Sequence, residues 1–464
     1  MKKVVLNTLL ALSLTTMLNA KDSNYMDRIV KLWNLKTNGE IEFNTTKVDG
    51  GYNLIISSKS PFYKEVFSKK PIKISVDEGP IITSPSFGFG TAGLVAKGNI
   101  LDILNPKLTK DINKTLKSNP TYKYEGKVSF GNEYKSTFEI EPFKLENDDV
   151  KIDISKVLTN STYDLDTFTG KESIKIDSIN IKPIKEEGLF KLKDISINTK
   201  ILQEPIDDIL LFGKSTFNIK DIEINAKAKN SKEFHTKFSA VLEGNTIRVD
   251  RDLLNLKAAY IIKALDEKTI ALSKGVKESS LDLEFKKLGI KGVIEFIKLS
   301  KKLQKVNEEL AAAAEKNDDI AMQKAILATQ EISDKMVPIW NKIFITNKSE
   351  IVLDLELKSD KTSYIKLDLI YKGKPLSGNA QSAVISLMAQ QLNLFDGKFD
   401  IAVDSNLAST INPFALMGLD MLKAKGFVDV KNGIYYLKGE LKNGKIVIKG
   451  KAYTIKELSE ALFK

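Results

Sequence analysis

Three glycines, Gly88, Gly90 and Gly93 in "SFGFGTAGL" (86–94), stand in the spacing G-x-G-x-x-G. In a dinucleotide site that spacing ends a strand and opens a helix, whose first amides receive the pyrophosphate. The flanks here supply neither element. Pro80 and Pro85 interrupt the stretch before the glycines, and Gly98 interrupts "LVAKGNILDIL" after them. The motif therefore reads as a glycine-rich extended or bulged segment, with no nucleotide and no cofactor expected. The single histidine, His235 in "EFHTKFSA", alternates with Phe234, Thr236 and Phe238, which predicts a place on the wet face of a strand. One histidine and no cysteine exclude disulfides, Cys-bound zinc, His-rich zinc sites and Cys–His nucleophiles. A serine triad would hang on His235 alone, and no G-x-S-x-G elbow is present. Paired carboxylates of the glycosidase kind need only Asp and Glu, which are plentiful. The adjacent acids Asp207–Asp208 and Asp318–Asp319 read as solvated turns or caps instead. No calcium-loop run occurs, so no catalytic, cofactor-binding or metal-binding residue is assigned.

With little chemistry to position, the charge and the elements carry the reading. The net charge is +11, but only Arg28, Arg248 and Arg251 are arginine. Lysine lacks the planar fork that grips phosphate and guanine, and the lysines are interspersed with acids. A solvated lysine-rich surface is expected, not nucleic-acid binding. At the N-terminus Lys2 and Lys3 precede "VVLNTLLALSLTTML" and a small residue, Ala20. That is the layout of a secretory signal peptide over residues 1–20, with an uncleaved inner-membrane anchor as the alternative. The expected location is the periplasm, either free or tethered.

Residues 21–290 read as a β-rich region. "YKYEGKVSF" (122–130), "STFEIEPFKL" (136–145), "VKIDIS" (150–155) and "ESIKIDSINIKPI" (172–184) alternate apolar with polar. "KDISINTK" (193–200) and "KDIEINAK" (220–227) repeat one pattern, as strands of a meander in similar surroundings would. Residues 291–346 read as a helical hairpin. Phe296, Leu299, Leu303, Val306 and Leu310 form one stripe, while Ala321, Ala325, Ala328, Ile332 and Met336 continue it until Pro338. Asn317 or Asp318 caps the second helix, and the stripe is expected to pack on the sheet. In the β/α region 347–464, segments 349–360 and 362–373 form a hairpin, and helices cover Gln381–Leu394 and Asn412–Lys425. Asp396–Gly397, Asn432–Gly433 and Asn443–Gly444 read as type I′ turns, the last two within a three-strand terminal meander. The fold class is α+β and β-dominated: an elongated, mostly antiparallel twisted sheet with a helical hairpin and further C-terminal helices packed on it.

One resemblance adds to this. "ISVDEGPIITSPSFGFGTAGLVAKG" is similar to the N-terminal signature of the YdgA-like (DUF945) family of bacterial envelope proteins, with Gly79 and Pro80 as its glycine–proline pair. Glu78 stands where many members have histidine, so no role of that histidine transfers. The run "YYLKGELKNGKIVIKGKA" resembles the family's closing pattern, with Lys449 in place of an asparagine and Gly450 and Lys451 matching. The resemblance implies an exported, elongated, β-rich protein of envelope maintenance, loosely linked to surface motility, with no catalytic residues to carry over. The expected function is a non-enzymatic scaffold or binding protein holding envelope lipid or a membrane-protein partner. The alternative is a carboxylate-dependent hydrolase of envelope glycans, against which the presence of only Trp33 and Trp340 for sugar stacking counts.

Overall fold

The computed structural model describes residues 23–37, 40–58, 66–68, 70–82, 89–118, 120–129, 131–185, 187–227 and 234–463. The expected leader at residues 1–20, and Gly88, lie outside them. The chain divides into two compact units, up to Ser239 and from Ala240 onward. The chain as a whole is β-dominated, the second unit carries most of the helix, and every strand pairing described below is antiparallel.

The first unit opens with helix α1 (Ser23–Lys36). Met26, Ile29, Leu32 and Trp33 recur on one helical face and are buried to 0–1% exposure, with Trp33 edge-on to Phe43. The strands are β1 (Ile41–Val48), β2 (Gly51–Ser58), β3 (Ile72–Ile82), β4 (Phe89–Asn99), β5 (Thr121–Val128) and β6 (Glu133–Ile140). Then follow β7 (Phe143–Glu146), β8 (Val150–Ile154), β9 (Val157–Asp164), β10 (Gly170–Pro183), β11 (Glu187–Ile206) and β12 (Leu210–Lys227). Pairing runs β1–β2–β3–β4–β5–β6–β9–β10–β11–β12. Strand β10 meets β9 along its first half and β8 along its second. Burial follows the sequence alternation: in β6 the residues Tyr134, Ser136, Phe138 and Ile140 are buried and those between them are not. The two K-D-I-x-I-N-x-K copies sit on adjacent strands but overlap in register only where Lys193 faces Asp221, each running on from there beside residues outside the other copy.

Two short helices, α2 (Ile100–Ile103) and α3 (Pro106–Thr115), interrupt the stretch expected to be all strand. Asn99 and Asn105 cap them, each accepting from the amide two residues on, and Pro106 takes the tolerated first position.

Strand β13 (Phe234–Arg248) leads into the second unit. There β14 (Leu253–Ala264), helix α4 (Glu267–Leu272) and β15 (Glu278–Gly289) precede the long helices α5 (Ile290–Glu315) and α6 (Asp319–Ile343). Then come β16 (Glu350–Lys358), β17 (Thr362–Tyr371), α7 (Ala380–Gln390) with a 3-10 turn to Leu394, and β18 (Phe395–Asp404). Helices α8 (Ser405–Ile411) and α9 (Pro413–Ala424), strands β19 (Asp429–Lys431), β20 (Ile434–Lys442), β21 (Lys445–Ile448) and β22 (Lys451–Tyr453), and α10 (Ile455–Phe463) follow. Pairing runs β14–β15–β16–β17–β18–β20–β21–β22, with β19 also on β20.

Helices α5 and α6 form the expected hairpin, with Asp318 accepting from the Ala321 amide as the cap. Its stripe differs in two ways from expectation. Leu299, Ile332 and Ile339 pack with Leu303, Val306, Met336 and Ile343, so the two helices bury their stripes against each other. Phe296 is off the seam and 44% exposed, and α6 continues through Pro338 to Ile343. Asn412 caps α9 as read, accepting from the Phe414 amide.

Asn432–Gly433 and Asn443–Gly444 have positive φ at both positions, as type I′ turns require. Asp396–Gly397 is not a turn. Both residues sit inside β18, and a Cβ at Gly397 would fall 2.0 Å from the Asp368 carbonyl oxygen, so this glycine serves close approach of strands. The terminal meander has four strands, not three, because Lys449–Gly450, with φ of 48° and 78°, makes one more turn before β22.

A half-open apolar face in the second unit

The central strands of the second unit carry different residues on their two faces. Three apolar rows cross β15, β16, β17, β18 and β20 in register. One is Leu281–Leu355–Ile365–Ile401–Leu437, the next Leu283–Leu353–Leu367–Phe399–Gly439, the third Phe285–Ile351–Leu369–Gly397–Leu441. All the side chains in these rows are only partly buried. This departs from β5, β6 and β9 of the first unit, where the inward residues Tyr124, Tyr134, Ile140, Val157 and Tyr163 are at most 1% exposed. A sheet must cover its oily face with a second layer, and here that cover is incomplete.

Helices bound this face at both ends. At one end Phe344, just past α6, lies against Phe285, Trp340 and Tyr371, with Phe395 beyond Tyr371. Trp340 Nε1 donates to the Tyr371 hydroxyl at 3.2 Å, satisfying its one polar atom. Helix α7 is held to α6 by Val337, Leu376 and Ala383. At the other end Val403 of β18, α8 and α9 enclose an apolar pocket of about 550 Å³.

The opposite face is a charge lattice. Asp354, Lys366, Asp400 and Lys438 stand in one row, and Asp368, Lys398 and Glu440 in the next. Lys366 donates to Asp354 at 2.8 Å and Glu356 at 3.0 Å, which raises its pKa, and Lys438 pairs with Asp400 at 2.8 Å. Glu278 receives Lys263 and Lys358, both at 2.7 Å, and these bonds hold its carboxyl below the usual range. Among the described residues each carboxyl with a displaced pKa is displaced downward, at Glu139, Asp164, Glu278, Glu331, Asp360 and Glu457. A glycosidase acid needs the reverse shift. No group of three or more His, Asp or Glu side chains suited to a metal occurs among the described residues.

The residues singled out from sequence lie apart from one another. Gly90 and Gly93 are in β4, paired to β3 and β5, and the next helix begins only at Ile100, after the whole motif. His235 is partly buried with Nδ1 against Asn225 Oδ1, and Lys237, two residues on along the same side of β13, pairs with Asp221 at 3.3 Å. Asp207 and Asp208 occupy the β11–β12 turn with positive φ.

A polar cluster that sequence reasoning missed lies in the first unit. Lys36 of α1 pairs with Glu172, which also accepts from Ser161 Oγ at 3.0 Å, and the Lys36 ammonium lies 5.2 Å from the Tyr163 ring centre. The Tyr124 and Tyr134 hydroxyls are 2.6 Å apart, and burial pushes the Tyr124 and Tyr163 phenols up. With Tyr124, Tyr134 and Tyr163 at 1% exposure this cluster is core, where it fastens α1 to the sheet.

A family model described as a bacterial protein of unknown function, DUF945, matches residues 68–456, from just before β3 into α10. This chain belongs to the DUF945 family. The match takes in every strand of the apolar face and both sets of helices that bound it. No curated protein matches the chain, and no solved structure does. Among the described residues no helix is long and apolar enough to cross a membrane.

Proposed function

We propose that this DUF945 member is an exported envelope protein that holds the acyl chains of lipid against the open apolar face of its second unit. The observation that carries the reading is the partial exposure of the three in-register rows from β15 to β20. Water-facing leucines in aligned rows are costly, at roughly 25 cal/mol per Å² of apolar surface, and a bound chain removes that cost. The leader-like residues 1–20 support export, and the face's reverse supports a binding role over hydrolysis, because Lys263 and Lys358 hold Glu278 below the usual carboxyl range, the opposite of what a glycosidase acid needs. The role is scaffold-like: the protein shields or presents lipid during envelope upkeep.

The test is lipid extraction and mass spectrometry on protein purified without detergent, for the parent chain and for Leu355→Glu/Leu367→Glu. The parent should carry lipid and the double variant, folded by circular dichroism, should not. A parent chain that carries no lipid across detergent-free preparations refutes the reading.

A further inference from the structure

The pocket at the α8–α9 end of the face has a composition of its own. Its lining includes Val403, Ala408, Ile411, Leu419 and Leu422, and no lining residue is charged. Gly418 also lines it, in the middle of α9, where glycine costs a helix about 1 kcal/mol relative to alanine. A Cβ at Gly418 would meet nothing within 4 Å, so no neighbour demands glycine there, and its effect is to leave space. The cavity is therefore built open by the helix that forms its wall. Ile411 and Met421 are 50% and 46% exposed, so the pocket is accessible from solvent. A cation stands at Ile411: Lys274, with φ of 54° in the turn after α4, places Nζ 3.2 Å from the Ile411 carbonyl oxygen. The one acid on α9, Asp420, is engaged by the Tyr435 hydroxyl at 2.5 Å.

We infer that this pocket is a binding site for a single-chain alkyl carboxylate, a free fatty acid. The tail fills the space beside Gly418 and the carboxylate reaches the Lys274 ammonium. An apolar slot of this size suits one chain, and the Lys274 ammonium beside it favours an anionic head over a neutral one. The inference rests on the proposed function in that the pocket adjoins the same lipid-holding face, through Val403.

The test is calorimetric titration of the full chain with laurate and, separately, with dodecanol. The parent should bind one laurate per chain. Gly418→Leu, which fills the space and favours the helix, should weaken laurate at least tenfold with an unchanged circular dichroism spectrum. Lys274→Gln should weaken laurate about tenfold and leave dodecanol unchanged, a split that a merely structural lysine would not produce. Laurate affinity unaltered by Gly418→Leu overturns the inference, as does uptake of lysophospholipid by a chain that takes no laurate. A parent that carries co-purified phospholipid but binds no laurate overturns the pocket and leaves the face reading standing. Laurate binding by a chain without co-purified lipid does the opposite.

Discussion

At the scale of single residues, the charged side chains act mainly as strand adhesive. Glu278 is the clearest case, because its carboxyl bridges Lys263 and Lys358 from the strands on either side of β15. Its folded-state pKa lies below the ordinary 4.5, so the ionised form is favoured by folding. The stabilisation is complete above 4.5 and is lost as pH falls through the folded-state value. Glu278→Gln should therefore cost about 1 kcal/mol at neutral pH, and the difference from the parent should vanish in acid. Urea unfolding midpoints of the two proteins, measured from pH 7 down to pH 3, check this; a gap that widens in acid contradicts it. Residue-scale signals were unevenly legible in the sequence. Asn432–Gly433 announced a turn because asparagine and glycine both accept positive φ, whereas Asp396–Gly397 offered a similar turn signal while its glycine served another purpose, steric room beneath the Asp368 carbonyl.

At the scale of elements, long periodic segments were readable and short capped ones were overlooked. The α5–α6 hairpin shows both outcomes. Its spacing identified two helices, yet the stripe faces the partner helix, and helical period alone does not name what lies opposite. The seam makes a quantitative expectation. Leu299→Ala removes a residue at 8% exposure and should cost about 2–4 kcal/mol, while Phe296→Ala, at 44% exposure, should cost under about 1 kcal/mol. Thermal unfolding of the two variants decides between this packing and a stripe centred on Phe296. Helices α2 and α3 carried readable signals, Asn99 and Asn105–Pro106, which the surrounding strand pattern masked.

At the scale of the whole chain, strands β5, β6 and β9 of the first unit and the central strands of the second treat apolar surface differently, and this is where the candidate site was least visible beforehand. Alternation of the type Leu353-Asp354-Leu355 looks the same whether the apolar side is sealed or left open, since sealing depends on distant segments. The contrast can be measured. Ile152→Ser in the first unit, at 4% exposure, should destabilise by about 3–5 kcal/mol, while Leu355→Ser should cost about 1 kcal/mol and bear mainly on ligand retention. Equal losses from the two substitutions would show that the second unit's rows are ordinary core.

The charge lattice on the reverse of the apolar rows also limits how these strands can align as the chain folds. Moving any strand by one position would turn its leucines among lysines and aspartates. Moving β17 by two against β18 would set Lys366 opposite Lys398 and Asp368 opposite Asp396, and the same move against β16 would oppose Asp368 with Glu350. Only one alignment satisfies both sides at once. The lysines and aspartates thus work as a key for the strands, rejecting near-miss pairings in a sheet whose repetitive leucines would otherwise tolerate them.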